Sequence, residues 1–190
     1  FRREYGCEFL VYDETLVNSL VLTTLEGVDP ILNMGQTRWY KKLDPHATYV
    51  VALDPAMGTG GDNAAIEVFE LPSYNQVAEW KHNTTPIPQQ IRILRDICNY
   101  IKDETKSSGS NIYWSVENNT IGESALLVIN DFGEDSIPGL FVSEPIRKGH
   151  IRKFRKGFNT THKTKITACS RLKNMIEKEK LKIYSKPLIS

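Results

Sequence analysis

Three strand-like runs in succession, and only then an alternation of helices with strands, form the pattern that most limits what this chain can fold into. The runs are Thr48 to Leu53, Ala64 to Leu71 with alternating character, and Gln76 to Lys81. Gly60-Gly61-Asp62-Asn63 and Pro72-Ser73-Tyr74-Asn75 separate them, and turn chemistry at that spacing predicts an antiparallel meander. From Pro86 to Lys106 the period changes. Ile87, Ile91, Leu94, Ile97, Cys98 and Ile101 recur every three or four residues, as on one face of a helix that Thr85 introduces. Ser107 to Ser110 breaks it. A fourth strand then runs from Asn111 to Glu117, a second helix from Gly122 to Phe132, and a fifth strand from Leu140 to Ser143. A loop rich in Arg, Lys and Gly follows to Thr161. The pattern closes with a helix from about Lys163 to Lys180, its Ile166, Cys169, Leu172 and Ile176 turned inward, and a last strand over Leu181 to Tyr184.

This order predicts one α/β fold: a mixed five- to six-stranded sheet flanked by helices, with three antiparallel strands followed by crossover connections that set strands four and five parallel to strand one. Residues 46–190 form this domain. The first 45 residues fit the pattern poorly and read as a linker or the edge of a preceding domain. Strands one and four become neighbours about 4.8 Å apart, so Asp54 and Glu117, which close them, leave the sheet at one carboxyl edge. Ligands of open α/β sheets bind off that edge.

Composition narrows the function classes. No stretch approaches the roughly 18 apolar residues of a membrane span, and the start of the chain lacks the apolar block of a signal peptide, so the reading is a soluble, intracellular protein. Cys7, Cys98 and Cys169 are far apart and show no Cys-x-x-Cys spacing, so neither a zinc cluster nor a disulfide framework is indicated. The formal net charge of +1 hides an asymmetry: Pro145 to Lys182 carries thirteen Lys or Arg against Glu177 and Glu179, while Asp54 to Asp135 carries thirteen acids against five bases. An acidic half bearing the candidate site and a basic half suit a polyanionic partner.

Carboxylates without nearby His or Cys match Mg²⁺ or Mn²⁺ rather than zinc. Two such ions, roughly 3.5 to 4 Å apart, can activate water and stabilise the leaving oxygen of a phosphodiester. Asp62 has two readings, a supporting ligand returning to the same edge or an ordinary hairpin-turn residue. The Gly-rich segment after Asp54 is no P-loop, because no G-x-x-x-x-G-K-[ST] occurs. The stretch Arg147 to Phe158, continued by His162-Lys163-Thr164-Lys165, has eight Lys or Arg, no acid and two interleaved Phe. It reads as a phosphate-tracking loop whose glycines let it adapt to a duplex, with Lys148, Arg152, Lys153, Arg155, Lys156, Lys163 and Lys165 as candidate contacts.

Tyr49-Val50-Val51-Ala52-Leu53-Asp54 with Gly58, Gly60 and Asp62, then Trp114-Ser115-Val116-Glu117-Asn118-Asn119, resemble the two acidic motifs of the C-terminal nuclease domain of the large terminase subunit of tailed bacteriophages. His162 to Ile183 is similar to that family's late basic helix-strand segment, and Phe1 to Phe9 to the end of its upstream packaging ATPase. The resemblance implies a ribonuclease H-like fold and a metal-dependent endonuclease cutting concatemeric viral DNA, so that the duplex is double-stranded DNA. Asp54 and Glu117 would be its metal-binding catalytic acids, Asp62 a supporting one, and Mg²⁺ or Mn²⁺ its cofactor in a two-metal site. Its implied partners are the ATPase domain of the same polypeptide, the small terminase subunit and the portal, in the host cytoplasm. The family's third catalytic Asp lies on a helix after the strand matching Leu181 to Tyr184, and no residue here occupies that position. The expectation is therefore a C-terminally incomplete domain that binds metal weakly and cuts slowly or not at all. Two other readings compete: a DNA-binding packaging module with structural acids, and a fragment of an actin or sugar-kinase type ATPase.

Overall fold

Apolar alternation drives the central sheet. The computed structural model describes residues 16–148 and 151–189. The strands of the meander are β3 (Thr48–Asp54), β4 (Ala64–Leu71) and β5 (Asn75–His82), following the short elements α1 (Ser19–Thr24), β1 (Leu32–Met34) and β2 (Thr37–Trp39). After α2 (Ile87–Glu104) come β6 (Ile112–Val116), α3 (Thr120–Phe132) and β7 (Leu140–Phe141). The sheet has seven strands in the order β1-β2-β5-β4-β3-β6-β7, with β6 parallel to β3 and β7 parallel to β6.

Tyr49, Val51 and Leu53 of β3, Ile66 and Val68 of β4, and Ile112, Trp114 and Val116 of β6 point to one face and are buried there. The apolar stripe of α2, Ile91, Leu94, Ile97, Cys98 and Ile101, packs against them in one cluster, with Ala125 and Ile129 of α3. Burying a side chain of this size contributes about 2 kcal/mol, so this face supplies most of the driving force. No helix among the described residues is long and apolar enough to cross a membrane.

Three expectations are corrected. Residues 32–39, expected within a linker, form β1 and β2, which extend the sheet through Arg38↔Glu79 and Trp39↔Ala78. Trp39 is buried in the main core, so the domain takes in this hairpin and the sheet exceeds six strands. The expected basic loop is a hairpin of β8 (Glu144–Lys148) and β9 (Ile151–Arg155); the density of Lys and Arg obscured its alternation. The expected last strand does not form. Residues 182 and 185 make only isolated bridges, to Asn75 and Val28. β5 is already flanked by β4 and β2, which leaves its first residues alone free to pair, and there Gln76 N donates to Lys182 O at 2.8 Å.

This C-terminal segment partly covers the second face of the sheet. Helix α4 (His162–Glu177) leads into it, and Ile176 and Leu181 join Val17 in a small second cluster against Phe69. Of the four residues expected to face inward on α4, Ile176 is buried, whereas Ile166 and Leu172 are exposed. Beneath the segment, Glu79 is 2% exposed and accepts hydrogen bonds at Oε2 from Arg38 Nη2 (3.0 Å), Tyr40 OH (3.2 Å) and Ser185 Oγ (2.5 Å). A buried carboxylate with three donors holds the β2 hairpin, β5 and the C-terminal segment together. Removing one partner of a buried ion pair strands the other, so Glu79→Ala should lower the unfolding free energy by about 3 kcal/mol, read as a lower urea midpoint. An unchanged midpoint would contradict the role given to this carboxylate.

Candidate functional site

The register of β3 with β6 builds the site. Leu53 pairs with Val116, and Glu117 N donates to Leu53 O at 2.9 Å, so Asp54 and Glu117 stand side by side where the two parallel strands end. Side chains alternate, so with the core residues on one face, Ala52, Asp54, Ser115 and Glu117 share the other. They line a cleft of about 500 Å³ that also takes in Glu67 of β4, Phe158, Thr160 and Leu188.

Each carboxylate is set by its surroundings. Pro55 cannot donate to a ladder and ends β3. Gln90, buried on α2, then clamps the next residue, accepting from Ala56 N (3.3 Å) and donating to Ala56 O (2.6 Å) and Thr85 O (2.7 Å). Gly58, at φ +73°, lies so close to the Thr85 carbonyl that a Cβ would collide with it. Beyond β6, Asn119 caps α3 by accepting from Ile121 N (3.0 Å) and Gly122 N (2.8 Å), which fixes its amide so that Nδ2 donates to Glu117 Oε2 at 3.1 Å. Gly122 has no Cβ to strike the Glu117 carbonyl. Asn119 is thus the residue that orients Glu117; an Asn just before a helical run was its sequence signal.

The Asp54 carboxyl is pushed up to about 7, first by removal from water and then by the Glu117 carboxyl beside it, through hydrogen bonding and charge, with Asp62 adding repulsion. Asp62 is exposed in the Gly-rich turn, near enough to act on Asp54 electrostatically. Among the described residues no three His, Cys, Asp or Glu side chains come together as a metal-holding group, so the structure brings together a pair rather than the trio Asp54, Glu117 and Asp62. The pair fits a hard divalent cation: its donors are all oxygens, and their mutual repulsion is the strain such an ion would relieve.

The basic hairpin is rooted at this edge. Phe158 N donates to Val116 O (3.0 Å), Asn118 N to Phe158 O (2.5 Å) and Asn118 Nδ2 to Lys156 O (2.8 Å), so the strand leaving the hairpin runs parallel beside Glu117. Gly157, at φ +73°, permits the close approach, because a Cβ there would meet the Val116 carbonyl. Lys148 ends β8, and Arg152, Lys153 and Arg155 lie on β9. Lys156 Nζ pairs with Glu134 at 2.6 Å and lies 5.9 Å from the Phe141 ring centroid. Lys163 and Lys165 sit in the first turns of α4, behind a capping box of Thr161 and Thr164. His150 lies outside the described residues.

A family model described as the terminase RNaseH-like domain matches residues 51–189. Among solved structures, the large terminase nuclease from the thermophilic phage G20c with bound magnesium has a TM-score of 0.62 at 14% identity, over 89% of this chain and 75% of that one. The same nuclease with bound zinc gives 0.60 at 13% identity, over 89% of this chain and 82% of that one. The large terminase nuclease domain of Thermus phage P74-26 gives 0.59 at 14% identity, over 88% and 72%. At these identities the likeness is one of fold, and it bears out the ribonuclease H-like architecture.

A carboxyl whose folded value is raised contributes stability that is complete below its unfolded value and lost as pH rises through the folded one. In the metal-free protein that loss runs from about pH 4 to about pH 7. Asp54→Asn should therefore match the parent near the bottom of this range and melt above it at pH 8, and adding Mg²⁺ should stabilise only the parent. Equal melting temperatures at both pH values would contradict the raised Asp54 carboxyl.

Proposed function

The chain belongs to the terminase RNaseH-like domain family, and on that premise we propose that it is a metal-dependent endonuclease that cuts concatemeric double-stranded DNA during viral genome packaging. The observation that carries the reading is the adjacency of Asp54 and Glu117 at the ends of paired parallel strands, with the root of a basic hairpin beside them. Asp54 and Glu117 would hold Mg²⁺ or Mn²⁺, with Asp62 of the turn adding negative charge nearby. When bound, such ions activate a water and neutralise charge on the leaving oxygen. The chain's own contributions are positional: Asn119 aims Glu117, Gln90 secures the backbone after Asp54, and the Asn118–Phe158 ladder keeps the hairpin against the site. The nuclease solved with magnesium, zinc and cobalt supports divalent chemistry on this fold. With two adjacent carboxylates rather than three, cation affinity is expected to be modest.

Lys148, Arg152, Lys153, Arg155, Lys163 and Lys165 contact DNA phosphates, and Lys156 instead braces the hairpin. The same reading gives the chain a packaging ATPase domain upstream in its polypeptide, with the small terminase subunit and portal as partners in the host cytoplasm.

Asp54→Ala and Glu117→Ala should each reduce Mn²⁺-dependent plasmid cleavage at least about 100-fold, as expected when a group acting on the reacting centre is lost, while DNA binding is retained. Cleavage at the parent rate would instead favour a DNA-binding module with structural acids. Replacing Arg152, Lys153 and Arg155 with Ala should lower the slope of log affinity against log salt by about three, whereas Lys156→Ala should change it little. An unchanged slope in the triple variant would move the DNA path elsewhere.

A further inference from the structure

Glu67 shares the cleft with Asp54 and Glu117, yet neither acidic motif includes it. It lies opposite Ala52 of β3, while Asp54 lies opposite Ala65. Glu67 is therefore diagonal to Asp54 at about 7–8 Å; it joins no metal-holding group of three among the described residues, and it is close enough to touch the same nucleic-acid strand. On its other side it stands directly across from Glu79.

Two carboxylates opposite one another in a half-buried setting do not both ionise readily. Three donors converge on Glu79 Oε2, which makes it a hydrogen-bond acceptor. Gln76 then decides where the proton of Glu67 resides. Its Oε1 accepts from Tyr184 N and Ser185 N, both at 2.8 Å, which fixes the amide orientation, so its Nε2 donates to Glu67 Oε2 at 2.8 Å. Oε2 is thereby an acceptor, which leaves Oε1 as the oxygen to carry a proton. Burial pushes this carboxyl up to about 8; the Gln76 hydrogen bond opposes that, Glu79 reinforces it, and Arg38 and Lys81 oppose it. The charged groups facing it are Glu79 and Lys81 from β5 and Arg38 from β2, with Asp54 and Glu117 across the cleft.

A neutral carboxyl in a cleft already holding two acids is a donor that an anion can approach without added repulsion. We propose that Glu67 is a phosphate-contacting residue of this cleft, its Oε1 hydroxyl donating to a non-bridging oxygen of the phosphodiester seated beside Asp54 and Glu117. The assignment rests on the nuclease reading, since it needs DNA in the cleft. It gives the cleft a phosphate contact that requires no metal, and one that vanishes once Glu67 ionises.

The test compares the full chain with its Glu67→Gln and Glu67→Ala variants by fluorescence anisotropy, using a short DNA duplex in Ca²⁺, from about pH 7 to about pH 9. Gln offers the same acceptor to Gln76 and a permanent N–H in place of the O–H. The parent should lose about tenfold more affinity than Glu67→Gln across this range, and Glu67→Ala should bind about tenfold more weakly than the parent at the lower pH, as for loss of a hydrogen bond to a charged group. Coincident pH curves for parent and Glu67→Gln would overturn the proposal, as would parent-like binding by a folded Glu67→Ala protein near pH 7. Plasmid cleavage keeps the two ideas apart: coincident curves with cleavage that Asp54→Ala abolishes sink only the Glu67 contact, and divergent curves with cleavage that Asp54→Ala leaves at the parent rate sink only the nuclease reading.

Discussion

Parallel pairing of β3 with β6 is the constraint from which the site follows. A parallel neighbour needs a crossover, and α2 provides it, burying Ile91, Leu94, Ile97, Cys98 and Ile101 on the sheet between the two strands. Once Leu53 is opposite Val116, two acids about 60 residues apart in sequence must emerge together. The Asp54 carboxyl is raised there, first by burial and then by the Glu117 carboxyl beside it, and the packed core beneath holds the pair in place. The same edge receives the basic hairpin through the Phe158 ladder, so the acidic and basic halves of the chain meet at one point.

The second face of the sheet is organised by polar groups rather than by a helix stripe. Glu79 gathers Arg38, Tyr40 and Ser185, while Gln76 holds the backbone of residues 184 and 185 and reaches Glu67. This network ties the early hairpin and the C-terminal segment to the strands that carry the cleft. The segment packs mainly on the β5 side, and its Leu188 joins the lining of the cleft.

Much of this was legible because the signals were periodic. The meander, α2 and the strand-end positions of Asp54 and Glu117 follow from spacings of two and of three to four, and the adjacency of the acids follows from crossover topology. What escaped the sequence depended on partners distant along the chain. Trp39 looked like part of a linker because β1 and β2 are too short to show alternation, and only their pairing with β5 buries it. Leu181 to Tyr184 looked like a strand because nothing local reveals that both sides of β5 are taken. Nothing in the sequence marks Lys156 out from its neighbours as the one that pairs with Glu134. Glu67 could have been found, since alternation along β4 puts it on the face of Asp54 once the meander register is known.

The central claim is that β3 and β6 present one cation-binding pair, and crystals of the full chain soaked in Mn²⁺ test it most directly through anomalous scattering. The account predicts an anomalous peak within bonding distance of carboxylate oxygens of both Asp54 and Glu117. A saturating soak that leaves this edge empty, or puts the ion on other side chains, would contradict it.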